Sequence, residues 1–138
     1  MTQYSVYAIG AALVDTEIQV NDSELGAMAV EKGVMTLVDE DRQAELMGHL
    51  QGHLVGASHA SGGSAGNSMI ATALFGAPTF MSCKVADDAD GDIYLADLEA
   101  SGVAHSLTDK RGSGTTGKCL VLITPDAERS MNTFLGVS

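Results

Sequence analysis

The stretch Ser61-Gly62-Gly63-Ser64-Ala65-Gly66-Asn67 leads straight into a predicted helix over residues 67–75, where Met69, Ile70, Ala73 and Leu74 fall at helical spacing before Gly76 stops them. Seven small residues ahead of a helix let a ligand approach the backbone closely. The unpaired N–H groups of the helix's first turn point back at that loop. Such a loop suits recognition of hydroxyls or of an anion, although a plain turn has the same composition.

Upstream of the loop, residues 4–9 read as a buried strand ending at Gly10, and a short apolar run leads on to Asp15. Residues 16–20 alternate, with Ile18 and Val20 on one face and Glu17 and Gln19 on the other, as a half-exposed strand does; Asn21-Asp22 breaks it. Residues 34–38 form a further short apolar stretch. Asp39 or Asp41 then caps a helix to about Leu54, with Leu46, Met47 and Leu50 on one face, and residues 58–66 read as a loop.

Downstream, residues 79–85 predict a strand, 87–92 an acidic turn around Gly91, 93–100 a helix stopped by Gly102, and 103–107 a short strand. Residues 109–118 form a polar, glycine-rich loop. The apolar runs 119–124 and 130–135 are joined by Pro125-Asp126-Ala127-Glu128-Arg129, a hairpin signal. Alternating strands and helices argue for an α/β fold with a mainly parallel sheet. The runs at 16–20, 119–124 and 130–135 are expected to form a small antiparallel sheet apart from it. A parallel sheet needs both faces covered. Two core helices cover one poorly, and Val137-Ser138 follows a strand directly, so the expectation is one truncated domain over residues 1–138.

The chain has 138 residues, 18 acidic against 7 basic, and a net charge of −11. Scattered Lys and Arg cannot displace the counterions of a nucleic acid, so no nucleic-acid partner is expected. No apolar run approaches the 18 residues of a membrane span, and the start of the chain lacks the pattern of a secretory signal. Cys83 and Cys119 sit in apolar, strand-like surroundings and read as reduced thiols of a cytoplasmic protein. A redox role is weak, for there is no C-x-x-C pair.

Several motifs are decoys. Gly112-Ser113-Gly114-Thr115-Thr116-Gly117-Lys118 imitates both a dinucleotide fingerprint and a P-loop. Both need a strand before and a helix after. Here a charged turn precedes and a strand follows, and Cys119 stands where a P-loop needs Ser or Thr. His49 and His53 are spaced as a metal pair but lack a third ligand. The acidic run Asp87, Asp88, Asp90 and Asp92 lacks the closing Glu of a calcium loop and suits helix capping and solvation. No metal site is expected. Asp15 ends an apolar run, where a carboxylate is costly to bury without partners. A vicinal diol would offer it two donors; a strand-end Asp capping a turn is the alternative.

Asp15 after a Gly-ended first strand, Ser61-Gly-Gly-Ser-Ala-Gly-Asn67 before a helix, Ser82-Cys-Lys-Val-Ala-Asp87, and Thr116-Gly-Lys-Cys-Leu-Val-Leu-Ile-Thr-Pro-Asp126 together resemble the ribokinase-like family of carbohydrate and nucleoside kinases. Their order matches that family throughout the 138 residues, and the adenosine kinase branch is the most similar. The resemblance implies a partial ribokinase-like fold whose lid comprises residues of about 16–38 and 115–136. Asp15 would hold the ribose diol, Gly62, Gly63 and Asn67 would complete the sugar site, and Cys119, Met131, Thr133 and Leu135 would line the base or aglycone side. Arg129 would lie near the transferred phosphate, where its planar fork suits phosphoryl oxygens. ATP and Mg²⁺ are the implied cofactors, and a homodimer through exposed lid edges is a possible assembly.

Two positions depart from the family. Ala11 stands where adenosine kinases usually carry Asn, and Ala86 where Gly is frequent. The family's second signature, Asp-Thr-x-Gly-Ala-Gly-Asp, which supplies the catalytic base and the anion hole, does not occur in these residues. The expectation is the N-terminal, substrate-binding part of an ATP-dependent kinase that is inactive by itself. The alternative is a non-catalytic sugar- or nucleoside-binding or lid-dimerisation module.

Overall fold

A computed structural model describes residues 3–138 as two compact units, one comprising residues 3–14, 60–117 and 135–138 and the other residues 15–59 and 118–134. The first unit is built on a three-stranded sheet of β1 (Val6–Ile9), β5 (Thr79–Ser82) and β6 (Val103–Ala104), ordered β1-β5-β6 and parallel throughout. Helices α3 (Ser64–Leu74) and α4 (Ala89–Ala100) pack against this sheet. Their apolar faces close a core in which Met69, Met81, Tyr94, Leu98 and Val103 are buried.

In the second unit, α1 (Asp22–Ala27) and α2 (Glu40–His49) accompany a five-stranded sheet ordered β3-β8-β7-β2-β4. Its strands are β2 (Leu13–Gln19), β3 (Met35–Leu37), β4 (Ser58–Gly62), β7 (Gly117–Ile123) and β8 (Arg129–Phe134). Strands β7 and β8 form the expected antiparallel hairpin, with Cys119 opposite Thr133 and Ile123 opposite Arg129. The sheet is larger than expected and mixed, because β3 joins β8 in parallel. Ile18, Val20, Leu46, Leu50, Leu120 and Leu122 form its core. A turn of 3₁₀ helix, Gln51–Gly56, ends the α2 segment where a continuous helix was expected.

Five further differences have identifiable causes. β1 is exposed rather than buried, with Tyr7 59% and Ile9 80% accessible, because it forms the edge of its sheet. Residues 58–62, expected as loop, form strand β4 beside β2. Helix α3 starts at Ser64 rather than Asn67, immediately after Gly63 at φ 86°. α4 starts within the acidic run, because the Asp88 carboxylate accepts the Gly91 N–H and caps it, with Asp90 and Asp92 in the first turn. That placement favours the positive end of the helix dipole. The unexpected α1 is closed by a capping box between Asn21 and Glu24.

Gly91 shows how tightly α4 sits. A β-carbon there would run into the Ala86 carbonyl oxygen. Replacing a helical glycine by alanine ordinarily stabilises by up to about 1 kcal/mol. Here the sign reverses: Gly91→Ala is expected to destabilise by about 1–3 kcal/mol, the usual cost of overpacking, as read by urea denaturation.

Candidate functional site

Strand periodicity decides which side chains share a face. Ile18, Leu120 and Leu122 point into the core of the second unit, so the residues alternating with them point the other way. On β2 this places Asp15 and Glu17 away from the core, and on β7 it places Cys119 and Val121 there. On β8 the residues opposite Cys119, Val121 and Ile123 are Thr133, Met131 and Arg129. One face of the sheet therefore carries Asp15, Cys119, Thr133, Met131 and Arg129. The Thr133 hydroxyl donates to Cys119 Sγ at 3.3 Å. Asp15 is close enough to Cys119 for its charge to disfavour the thiolate. Arg129 is exposed, at the far end of β8 from Thr133.

Partial burial raises the Asp15 pKa above its ordinary 3.8, with the Glu17 charge adding to the effect. The carboxylate therefore stands short of solvation, the condition in which hydroxyl donors gain most. The Cys119 thiol is also raised, by burial first and by Asp15 second, against the lowering effect of the Thr133 hydrogen bond. Cys83, in the first unit, is pushed up to about 11 by burial. Neither thiol has the depressed pKa of a redox or nucleophilic cysteine.

The remaining expected site residues lie in the first unit. Gly62 is buried at the end of β4, and Gly63 precedes α3. A β-carbon on Gly63 would lie 2.8 Å from the Ala11 carbonyl oxygen, so only glycine permits this approach. Asn67 is exposed, and its N–H donates to the Gly63 carbonyl at 3.0 Å. Leu135 follows β8 and is 40% accessible; its carbonyl accepts from the Ser138 hydroxyl at 2.5 Å. An open groove of about 300 Å³ lies at the carboxyl ends of β1 and β5, lined by Ile9, Gly10, Ser82, Cys83, Lys84 and Ser138. The carboxyl ends of parallel strands are where open α/β sheets place their ligands.

Residues that sequence reasoning passed over hold this loop in place. The Asp97 carboxylate accepts the Ser61 N–H at 2.7 Å. Tyr94, one helical turn earlier on α4, is fully buried with its hydroxyl against Gly66, and a β-carbon on Gly66 would lie 2.5 Å from that oxygen. The i, i+3 spacing of Tyr94 and Asp97 is the signal that they share a helix face, but nothing in the sequence alone says which loop that face meets. The decoys resolve as local structure. β7, not a helix, follows the glycine-rich loop, and His53 Nε2 lies 2.9 Å from Glu24 Oε1. Among the described residues no group of three or more His, Cys, Asp or Glu could hold a metal ion, and no helix is long and apolar enough to cross a membrane.

Parallel strands under two helices with a glycine-tight loop opening one of them, and a separate mixed sheet that carries a half-buried carboxylate, define a ribokinase-like kinase fold. The family model for pfkB family carbohydrate kinases matches residues 35–138, and the chain belongs to that family. Among solved structures it is 38% identical to an adenosine kinase from Sinorhizobium meliloti, with a TM-score of 0.86. It is equally identical, at 38%, to a probable sugar kinase from Rhizobium etli, with a TM-score of 0.85; each match covers 99% of this chain and 40% of the other. An adenosine kinase from Schistosoma mansoni in complex with adenosine, 21% identical, shares the fold with a TM-score of 0.80 over 96% of this chain and 38% of its own. The chain thus spans about 40% of the length of the first two structures. Comparison with curated proteins found no match.

The thiol chemistry is testable. Alkylation of Cys83 by iodoacetamide is expected to rise with a midpoint near 11 rather than the ordinary 9.0. The thiol is favoured by the fold, so its contribution to stability is present below pH 9.0 and is lost as pH rises through about 11. Mass spectrometry of trapped thiols across this range reads the midpoint directly.

Proposed function

We propose that the chain is the N-terminal, substrate-binding part of an ATP-dependent kinase that phosphorylates the hydroxymethyl group of a sugar or nucleoside, with an adenosine-like substrate favoured. The observation that carries this reading is the sheet face that sets Asp15, half-buried and short of solvation, beside Cys119 and Thr133. A carboxylate so placed accepts from both hydroxyls of a ribose diol, each charge-assisted bond contributing about 1.5–3 kcal/mol. Met131 and Leu135 supply apolar contact for a base or aglycone. Gly62 and Gly63 let the sugar reach the backbone, and Asn67 offers an amide. Arg129, exposed and without an ion pair among the described residues, is available for phosphoryl oxygens. The lid of the proposed kinase comprises residues of about 16–38 and 115–136.

The pfkB family generally uses ATP and a divalent metal, which supply the phosphoryl group and balance its charge. The residues of this chain do not make up that part of the machinery. The signature that brings the catalytic base does not occur in the sequence, and the described residues offer no metal cluster. Phosphoryl transfer depends on positioning and charge stabilisation, and loss of a single preorganised donor costs about 10²–10³ in rate. The 138-residue chain is therefore expected to transfer no phosphate from ATP to adenosine or ribose. Turnover in a radiolabelled assay with contaminating kinase excluded would refute this.

Substrate binding provides the complementary test. Asp15→Asn is expected to weaken adenosine binding by about tenfold to a hundredfold in calorimetry, and to leave the melting temperature unchanged or higher, because it removes a poorly solvated charge. Affinity is expected to fall with decreasing pH through a midpoint above 3.8, since only the ionised carboxyl accepts both hydroxyls. Equal binding by wild type and variant removes Asp15 from the site. A second reading, a module that dimerises through its sheet, is favoured by the edge strand β3, where Met35 is 55% and Leu37 60% accessible. Under that reading Leu37→Lys converts a dimer to a monomer in sedimentation analysis.

A further inference from the structure

We propose that the first unit carries a separate small-anion site, formed where the glycine-rich loop after β6 meets the segment following β5, and that its ligand is a tetrahedral oxyanion of the phosphate class. A cavity of about 100 Å³ is lined there by Lys84, Lys110, Gly112 and Ser113, with Val85 and Leu107 as its apolar wall. No carboxylate lines it.

Charge is the first argument. The chain has 18 acidic residues for 7 basic ones, so an unpaired cation is unexpected. Lys32, Arg42 and Arg111 each hold a carboxylate. Among the described residues Lys84 and Lys110 hold none, and the Ser113 hydroxyl has no hydrogen-bond partner. Three donor groups without partners therefore line one cavity. The acids around the start of α4 are engaged elsewhere: Arg111 ties up Asp87 at 2.9 Å and Asp92 at 2.6 Å, and Asp88 accepts from Gly91, Thr116 N and the Thr116 hydroxyl.

Order is the second argument. The loop is fixed on the β5 side by the Asp87 N–H donating to the Gly112 carbonyl at 3.0 Å and by the Ala86 N–H donating to the Thr116 hydroxyl at 2.9 Å. The anchored segments frame the cavity before any ligand arrives, which limits the ordering cost of binding. Size is the third. The cavity holds roughly three waters' share of liquid volume, enough for one phosphoryl group and too little for a sugar or a base. Lysine binds phosphate as a point charge, so two ammonium groups and a hydroxyl suit the dianion. This site does not depend on the kinase reading, and it shares only Lys84 with the groove at the carboxyl ends of β1 and β5.

The test is calorimetric titration of the 138-residue chain with inorganic phosphate, at constant ionic strength set by chloride. Saturable binding is expected, weakened at least about tenfold, or 1.4 kcal/mol, by the double substitution Lys84→Gln with Lys110→Gln. Ser113→Ala should weaken it less, and Lys32→Gln should not change it. These side chains are on the surface, and unchanged melting temperatures without phosphate will show that the variants fold. Competition by ribose 5-phosphate assigns the site to phosphate esters; phosphate binding without such competition assigns it to the free ion, and both support it. Absence of saturable binding, or binding that survives the double substitution, overturns the proposal.

Discussion

The close approach of two backbone segments in the first unit governs much of what surrounds it. A β-carbon on Gly10 would lie 2.5 Å from the Ala65 β-carbon, and one on Gly63 would lie 2.8 Å from the Ala11 carbonyl oxygen. Hence the segment after β1 and the start of α3 lie backbone to backbone, at a distance only glycine allows. Gly63 also takes φ 86°, a conformation that side chains with a β-carbon resist. The approach is held from the other side by Tyr94 against Gly66 and by Asp97 on the Ser61 N–H. A bulkier residue at any of these glycines must move the helix that the loop opens. The small residues of 61–67 are therefore a packing requirement of the fold.

The second unit works on a different constraint, the alternation of its strands. Its core takes Ile18, Leu120 and Leu122, and the opposite face is left to Asp15, Cys119, Met131, Thr133 and Arg129. Burial of that face is partial, enough to raise the Asp15 and Cys119 pKa values while leaving the aspartate accessible to a ligand. The balance between a solvation deficit and access is what makes a carboxylate useful for holding hydroxyls rather than for capping a turn.

The legible parts of this fold were those with local chemistry. The hairpin of β7 and β8 was readable from two apolar runs around Pro125-Asp126, and α2 from the Asp39 cap that accepts the Arg42 N–H. The α1 helix was missed, because Asn21-Asp22 read only as a strand breaker although Asn21 and Glu24 spell a capping box. Other elements were decided by tertiary contact. Ser64, Ala65 and Gly66 look like loop by propensity and are helix. Gly91 suggested a turn where α4 had already begun, although there the deciding cap, Asp88 three residues earlier, is local. Strand β4, in a run of small residues, exists because β2 pairs with it. For the candidate site, Asp15 and the glycines were visible as singular residues, whereas Tyr94 and Asp97 were hidden because their role depends on a partner distant in sequence.

The most direct test of the account is the part played by the diol. Adenosine and 2′,3′-dideoxyadenosine should be titrated calorimetrically into the 138-residue chain under identical conditions. The account predicts saturable heat for adenosine and none for the dideoxy analogue, whose base is intact but which offers Asp15 no hydroxyls. Equal affinity for the two, or no binding of either, contradicts it.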